Sequence, residues 1–91
     1  MNIIEELYAV IEDRKANPVE GSYTNYLMGK GVEKISKKIG EEAVETAIAA
    51  VKNNKEDTAE EIADVTYHLL VLMVQMGITL EDMEAVLRNR R

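Results

Sequence analysis

Apolar residues recur at helical spacing through nearly the whole chain. Ile3, Ile4, Leu7, Val10 and Ile11 mark a first helix, which Asn17-Pro18 ends, because the residue before a proline is pushed out of the helical region. Gly21-Ser22 can cap a short second helix from about Tyr23 to Met28, with Gly29 and Gly31 as its stop. A long helical segment then runs from about Val32 to Lys52 and another from about Asp57 to Met76, where Thr58-x-x-Glu61 offers a capping box. Gly77 closes that helix, and Thr79-Leu-Glu-Asp82 opens a last short one carrying Leu80, Met83, Val86 and Leu87. Strand-like alternation is scarce. The pattern predicts one all-α domain spanning residues 1–91 with about five helices.

Only Asn53, Asn54 and Lys55 separate the two long segments, and so short a loop forces an antiparallel helical hairpin. On its first arm Val32, Ile35, Ile39, Ala43 and Ala50 cluster on one side, with Gly40, Ala47 and Val51 beside them. An interior glycine costs about 1 kcal/mol relative to alanine, so Gly40 predicts a close backbone approach. On the second arm Thr58, Ile62, Val65, Leu69, Leu72, Met73 and Met76 form the apolar stripe. Beyond Tyr67 that arm is apolar nearly all round, through Leu70, Val71 and Val74. A helix apolar on every face requires burial on every face, and short flanking helices cannot supply it. The bundle is therefore expected to be completed by a homodimer.

Composition narrows the function classes. Eleven Lys and Arg against seventeen Asp and Glu give a net charge of −6, which disfavours nucleic acid as a partner. The absence of cysteine excludes disulfides and thiolate metal sites. Met1 to Glu6 lacks the features of a signal peptide, and the longest apolar run, Leu69 to Met76, is too short for a membrane span. A cytoplasmic protein with no membrane partner is expected.

The acidic residues are organised. Glu41-Glu42-Ala-Val-Glu45 and Glu60-Glu61-Ile-Ala-Asp64 each contain Glu-x-x-acid, which stacks two carboxylates on one helix face. The midpoints of the pairs Glu42/Glu45 and Glu61/Asp64 lie symmetrically about position 53. Each is roughly 14 Å from the turn at 1.5 Å per residue, so the folded hairpin brings them to the same height. Four converging carboxylates repel unless a cation neutralises them. An oxygen-only set suits Mg²⁺, or Mn²⁺ as a substitute, and such a metal completes its shell with water and substrate phosphates. The competing reading has ordinary surface glutamates paired at i,i+4, Lys37 with Glu41 and Lys38 with Glu42. It explains one pair but not two at equal height. Lys30, Lys34, Lys37 and Lys38 form a basic cluster just before the acids, with Lys34 and Lys38 continuing the stripe of Glu42 and Glu45. These lysines suit a polyphosphate as point charges, or serve only solubility. His68 lies one turn beyond Asp64, where a structural histidine and a catalytic one are both open readings.

The run Gly21-Ser-Tyr-Thr-Asn-Tyr-Leu-Met-Gly-Lys-Gly31, with Lys38-Ile-Gly-Glu-Glu-Ala-Val-Glu45 and Glu61-Ile-Ala-Asp-Val-Thr-Tyr-His68, resembles the phosphoribosyl-ATP pyrophosphatases of histidine biosynthesis. The paired acidic motifs are shared with the wider all-helical MazG-like nucleoside triphosphate pyrophosphohydrolases. The Gly-Ser-Tyr-Thr segment and the form of the first acidic motif narrow the resemblance to the histidine enzymes. It implies hydrolysis of 1-(5-phosphoribosyl)-ATP to 1-(5-phosphoribosyl)-AMP and pyrophosphate by Mg²⁺-activated water. Carried over, Glu42, Glu45, Glu61 and Asp64 would bind metal, with Glu41 as a candidate base or outer partner. Ser22, Lys30, Lys34 and Lys38 would contact phosphates, Ser22 and Lys30 from a flap that orders on binding, and Arg14 would meet the second phosphoribosyl phosphate. A fused cyclohydrolase, common in this family, is not expected in 91 residues.

Two alternatives stand beside this. A MazG-like hydrolase of another nucleoside triphosphate would share the carboxylates, though the absence of Trp and Phe leaves few rings for base stacking. A non-catalytic helical interaction module would bind no metal. Charge placement favours catalysis. From Glu41 to Asp64 there are eight acids and two bases, which is −6, and outside that segment nine of each. The acidity belongs to the proposed metal site.

Overall fold

The computed structural model describes residues 1–91 as five helices and no strand: α1 (Ile3–Ala16), α2 (Tyr23–Lys30), α3 (Val32–Val51), α4 (Lys55–Met76) and α5 (Leu80–Arg90). The all-α class and the hairpin are as the sequence predicts. Local chemistry sets most ends. Asn2 and Glu5 form a reciprocal capping box at α1, at 2.9 and 3.2 Å, and Thr79 and Asp82 do the same at α5. Ser22 Oγ accepts the Asn25 N–H at the start of α2. Gly77, at φ +72°, closes α4 in the left-handed conformation.

Three boundaries differ from expectation. Gly29 does not stop α2 but lies within it. The break falls at Gly31, whose φ of +91° is open chiefly to glycine. The turn between α3 and α4 is Lys52–Asn54, and α4 begins at Lys55 with Asn54 as its cap. Asn54 Oδ1 accepts the Asp57 N–H at 3.1 Å, one turn before the Thr58-Glu61 pair, which is already helical. At Gly40 no neighbouring atom comes within 4 Å of where a Cβ would stand, so within one chain nothing approaches it closely.

The α3–α4 hairpin is the most extensive interface, and α1 and α2 lie across it. The core comprises Tyr8, Ile11, Leu27, Ile35, Leu70, Val71, Met73 and Val74. Its polar edges are tied off at the end of α4, where Tyr8 Oη donates to the Ile78 carbonyl at 2.7 Å and Lys15 Nζ to the Val74 carbonyl at 3.3 Å. The expected stripe of α4 is rotated. Leu70, Val71 and Val74 face the core together with Met73, while Ile62, Leu69 and Met76 are exposed. On α3, Ile35 and Ala49 are buried, whereas Val32, Ala43, Ala50 and Val51 are not. The helix α5 buries no residue and leaves α4 at a bend of 114°.

The single chain is open for its size. Its accessible surface is 6453 Å², against roughly 5,300 Å² for a compact monomer of 10.2 kDa. Its radius of gyration is 14.1 Å, against about 12 Å for a compact chain of this length. Much of the excess is apolar: Val44, Ile48 and Val51 on α3 and Ile62, Leu69 and Met76 on α4 are exposed. No single helix is long and apolar enough to cross a membrane.

Candidate active site

The buried positions of α3 fall at Ile35, Glu42 and Ala49, a spacing of seven that keeps one line of the helix against its neighbours. A carboxylate therefore occupies the middle of a core-facing line. Opposite it on α4, Glu61 and His68 are also seven apart, and His68 is 4% exposed against 8% for Glu42. The two meet: His68 Nδ1 is 2.6 Å from Glu42 Oε1 and 2.8 Å from the backbone carbonyl of Asp64. The other ring nitrogen, Nε2, is 3.0 Å from the hydroxyl of Tyr23 at the start of α2. A carbonyl can only accept, so Nδ1 carries a proton, and in the neutral ring Nε2 accepts from Tyr23.

The expected carboxylates are brought together in part. Burial first, then Glu45, and then the charges of Asp64 and Glu42 push the half-buried Glu61 carboxyl above its ordinary value. Glu61 thus feels the other three acids, Glu42 and Glu45 from across the hairpin and Asp64 from its own helix. Glu45 and Asp64 remain exposed, and no three acidic or histidine side chains close to metal-ligand spacing. Mutual repulsion is the physical reason for such a splayed arrangement. Two oxygens are left short of partners: Glu42 Oε1 and Glu61 Oε2 are buried without a hydrogen bond of good geometry. Orphaned carboxylate oxygens on facing helices, with no competing sulfur ligand, fit a hard divalent cation.

The ordinary surface pairing fails, because neither Lys37–Glu41 nor Lys38–Glu42 forms an ion pair. Glu41 is exposed and has no partner. Lys34 and Lys38 are half-buried, and the charge of Lys38 acts on Tyr23, whose phenol is held above its usual 10.0 by burial, eased by Lys38 and reinforced by Glu42. Tyr23 therefore stands between the basic and the acidic stripe. Lys30, the last residue of α2, lies 5.8 Å from the Tyr26 ring. Ser22 is engaged as the α2 cap and lines a cleft of about 640 Å³ with Val19, Tyr23 and Tyr26. The guanidinium of Arg14 pairs only with Asp13, at 3.4 Å, and nothing links it to the acids. Tyr23 and Tyr67, not among the candidate site residues of the sequence, stack at 6.2 Å and flank the His68 ring edge-on. Thr24 and Tyr67 are hydrogen bonded to each other. No periodic signal marks these contacts, since they join α2 to α4.

Residues 4–91 match the family of phosphoribosyl-ATP pyrophosphohydrolases. The chain belongs to that family. A phosphoribosyl-ATP pyrophosphatase of Clostridium acetobutylicum is 58% identical over 88 residues, covering 97% of this chain and 80% of the relative. One from Streptococcus thermophilus is 55% identical over 89 residues, covering 98% and 86%. A histidine biosynthesis bifunctional protein HisIE of Caldanaerobacter subterraneus is 50% identical over 90 residues, which is 99% of this chain but 44% of that protein.

Proposed function

We propose that this chain hydrolyses 1-(5-phosphoribosyl)-ATP to 1-(5-phosphoribosyl)-AMP and pyrophosphate, the second step of histidine biosynthesis, in the cytoplasm. The observation that carries the reading is the pair of orphaned buried oxygens, Glu42 Oε1 and Glu61 Oε2, on facing helices of a pyrophosphohydrolase fold. Glu42, Glu45, Glu61 and Asp64 would hold Mg²⁺, with Mn²⁺ as a substitute. When bound, the cation supplies charge neutralisation at the phosphates and a more acidic water. Lys34 and Lys38 hold the phosphate chain along α3, and Lys30 and Ser22 meet it from the two ends of α2. Glu41, exposed and unpaired, is the candidate base or outer partner. Arg14 is kept as a contact to the second phosphoribosyl phosphate only if its pairing with Asp13 gives way.

A homodimer is part of this reading. Exposed apolar residues lie on both α3 and α4, and Ala43, Ile62 and the half-buried Val65 line one hollow between the helices. The surface in excess of a compact monomer is about 1,100 Å², of the order of the ~800 Å² per partner in a standard interface.

Pyrophosphate release from phosphoribosyl-ATP, dUTP, dCTP and ATP with Mg²⁺ tests the substrate. Preference for phosphoribosyl-ATP supports the reading. Preference for one of the others places the chain with MazG-like hydrolases, and no hydrolysis of any of them points to an interaction module.

A further inference from the structure

The buried imidazole of His68 satisfies both of its nitrogens without Glu42. Nδ1 has the Asp64 carbonyl at 2.8 Å and Nε2 has the Tyr23 hydroxyl at 3.0 Å. The ring is also fixed from its sides, edge-on to Tyr67 at 5.1 Å and to Tyr23 at 5.8 Å. A histidine with only a packing role needs nothing more. Yet Nδ1 also stands 2.6 Å from Glu42 Oε1, a buried oxygen with no hydrogen-bond partner in a residue only 8% exposed. The approach lies off the N–H axis, which points to the carbonyl, so Oε1 is held beside the polar ring edge without a hydrogen bond of its own. Glu42 is the member of the pair that gains. Without that ring edge its buried oxygen faces no donor at all, at a desolvation cost of the kind that reorients side chains.

We infer that His68 is a positioning residue for Glu42, held in turn by Tyr23, so that α2 and α4 together fix the orientation of a carboxylate supplied by α3. This rests on the reading of Glu42 as a metal ligand. One imidazole ties the Glu42 side chain to the backbone of Asp64, an acid from each arm of the hairpin. Tyr23 fixes Nε2 and thereby leaves the Nδ1 proton for the acids. Residues that orient a metal-binding carboxylate typically contribute 10- to 100-fold to metal affinity or activity.

Mn²⁺ titration followed by the paramagnetic signal of the free ion measures this without turnover. His68→Gln moves the side-chain amide toward the Nε2 position, whereas His68→Asn keeps an N–H near Nδ1. The expected result is Mn²⁺ affinity about 10- to 100-fold weaker for His68→Gln and largely retained for His68→Asn. Once Glu42→Gln is in place, His68→Gln should cost nothing further. Tyr23→Phe removes one hydroxyl from a half-exposed side chain and gives the same comparison should the buried substitutions prevent folding. It should weaken Mn²⁺ binding in the wild type and leave it unchanged beside Glu42→Gln. Wild-type affinity in His68→Gln, or equal losses with and without Glu42→Gln, would overturn the inference. If Glu42→Gln alone binds Mn²⁺ as the wild type does, the ligand assignment itself is wrong, an outcome distinct from failure of the positioning role alone.

Discussion

Glu42 of α3 and His68 of α4 are the buried polar pair of this hairpin, 2.6 Å apart, and each occupies a position that the helical period would assign to an apolar residue. Seven residues before His68, Glu61 continues the same line and carries a carboxyl pushed upward by burial and by Glu45, Asp64 and Glu42. The hairpin thus spends part of its packing on charges that repel one another, and a divalent cation is what would relieve them.

The first prediction concerns that cost. A carboxyl whose proton affinity rises on folding binds more protons folded than unfolded, so stability falls as pH climbs from the unfolded pKa through the folded one. Below the ordinary value of 4.5 both states hold the proton and no penalty remains. Glu61→Gln should therefore raise the melting temperature of the metal-free protein at neutral pH, with the gain vanishing in acid below about 4.5. Mg²⁺ should stabilise the wild type more than the variant. Thermal melts across pH with and without Mg²⁺ check both statements, and a variant less stable than wild type at pH 7 without metal would refute them.

The start of α4 gives a second prediction. Asn54 caps the helix and also donates to Asp57 Oδ2 at 2.9 Å. Asn54→Ala should cost about 1 kcal/mol, or roughly 4–8 °C in a domain of this size. Thr58→Ala should cost less, because Thr58 Oγ1 bonds only the Asn54 carbonyl within the first turn. The reverse order in a denaturation series would restore Thr58 as the cap.

The third prediction concerns the open apolar face. Sedimentation of the wild type at micromolar concentration should give twice 10.2 kDa. Ile62→Glu, at a position half exposed in the single chain, should shift the population toward monomer while retaining helix content. A wild-type species of 10.2 kDa would contradict the dimer.

How far the sequence reveals this molecule depends on the residue concerned. The hairpin and its turn near residue 53 are legible because only Asn53 to Lys55 separate two long apolar-periodic segments, and the two acidic pairs lie symmetrically about that turn. The core-facing side of α4 is not, since from Leu69 to Met76 nearly every residue is apolar and periodicity cannot choose between faces. The helix start is misread because Asn54-x-x-Asp57 and Thr58-x-x-Glu61 both have capping form. Geometry decides for the earlier one, as the turn needs only three residues. Gly29 and Gly31 look alike in sequence, but only Gly31 adopts a positive φ. The acids of the proposed site stand out by spacing, whereas the Tyr23–His68–Glu42 contact joins side chains from three helices and has no local signature.

The facing carboxylates of α3 and α4 are proposed to perform the hydrolysis. Pyrophosphate release from phosphoribosyl-ATP in the presence of Mg²⁺, compared between the wild type and the folded variants Glu45→Gln and Asp64→Asn, tests it most directly. Both residues are exposed, so the substitutions should leave the fold intact. The predicted result is wild-type turnover abolished by chelation, with each variant reduced beyond the roughly 10- to 100-fold typical of residues one step removed from a metal. Turnover in either variant within a few-fold of wild type would contradict the assignment of the site.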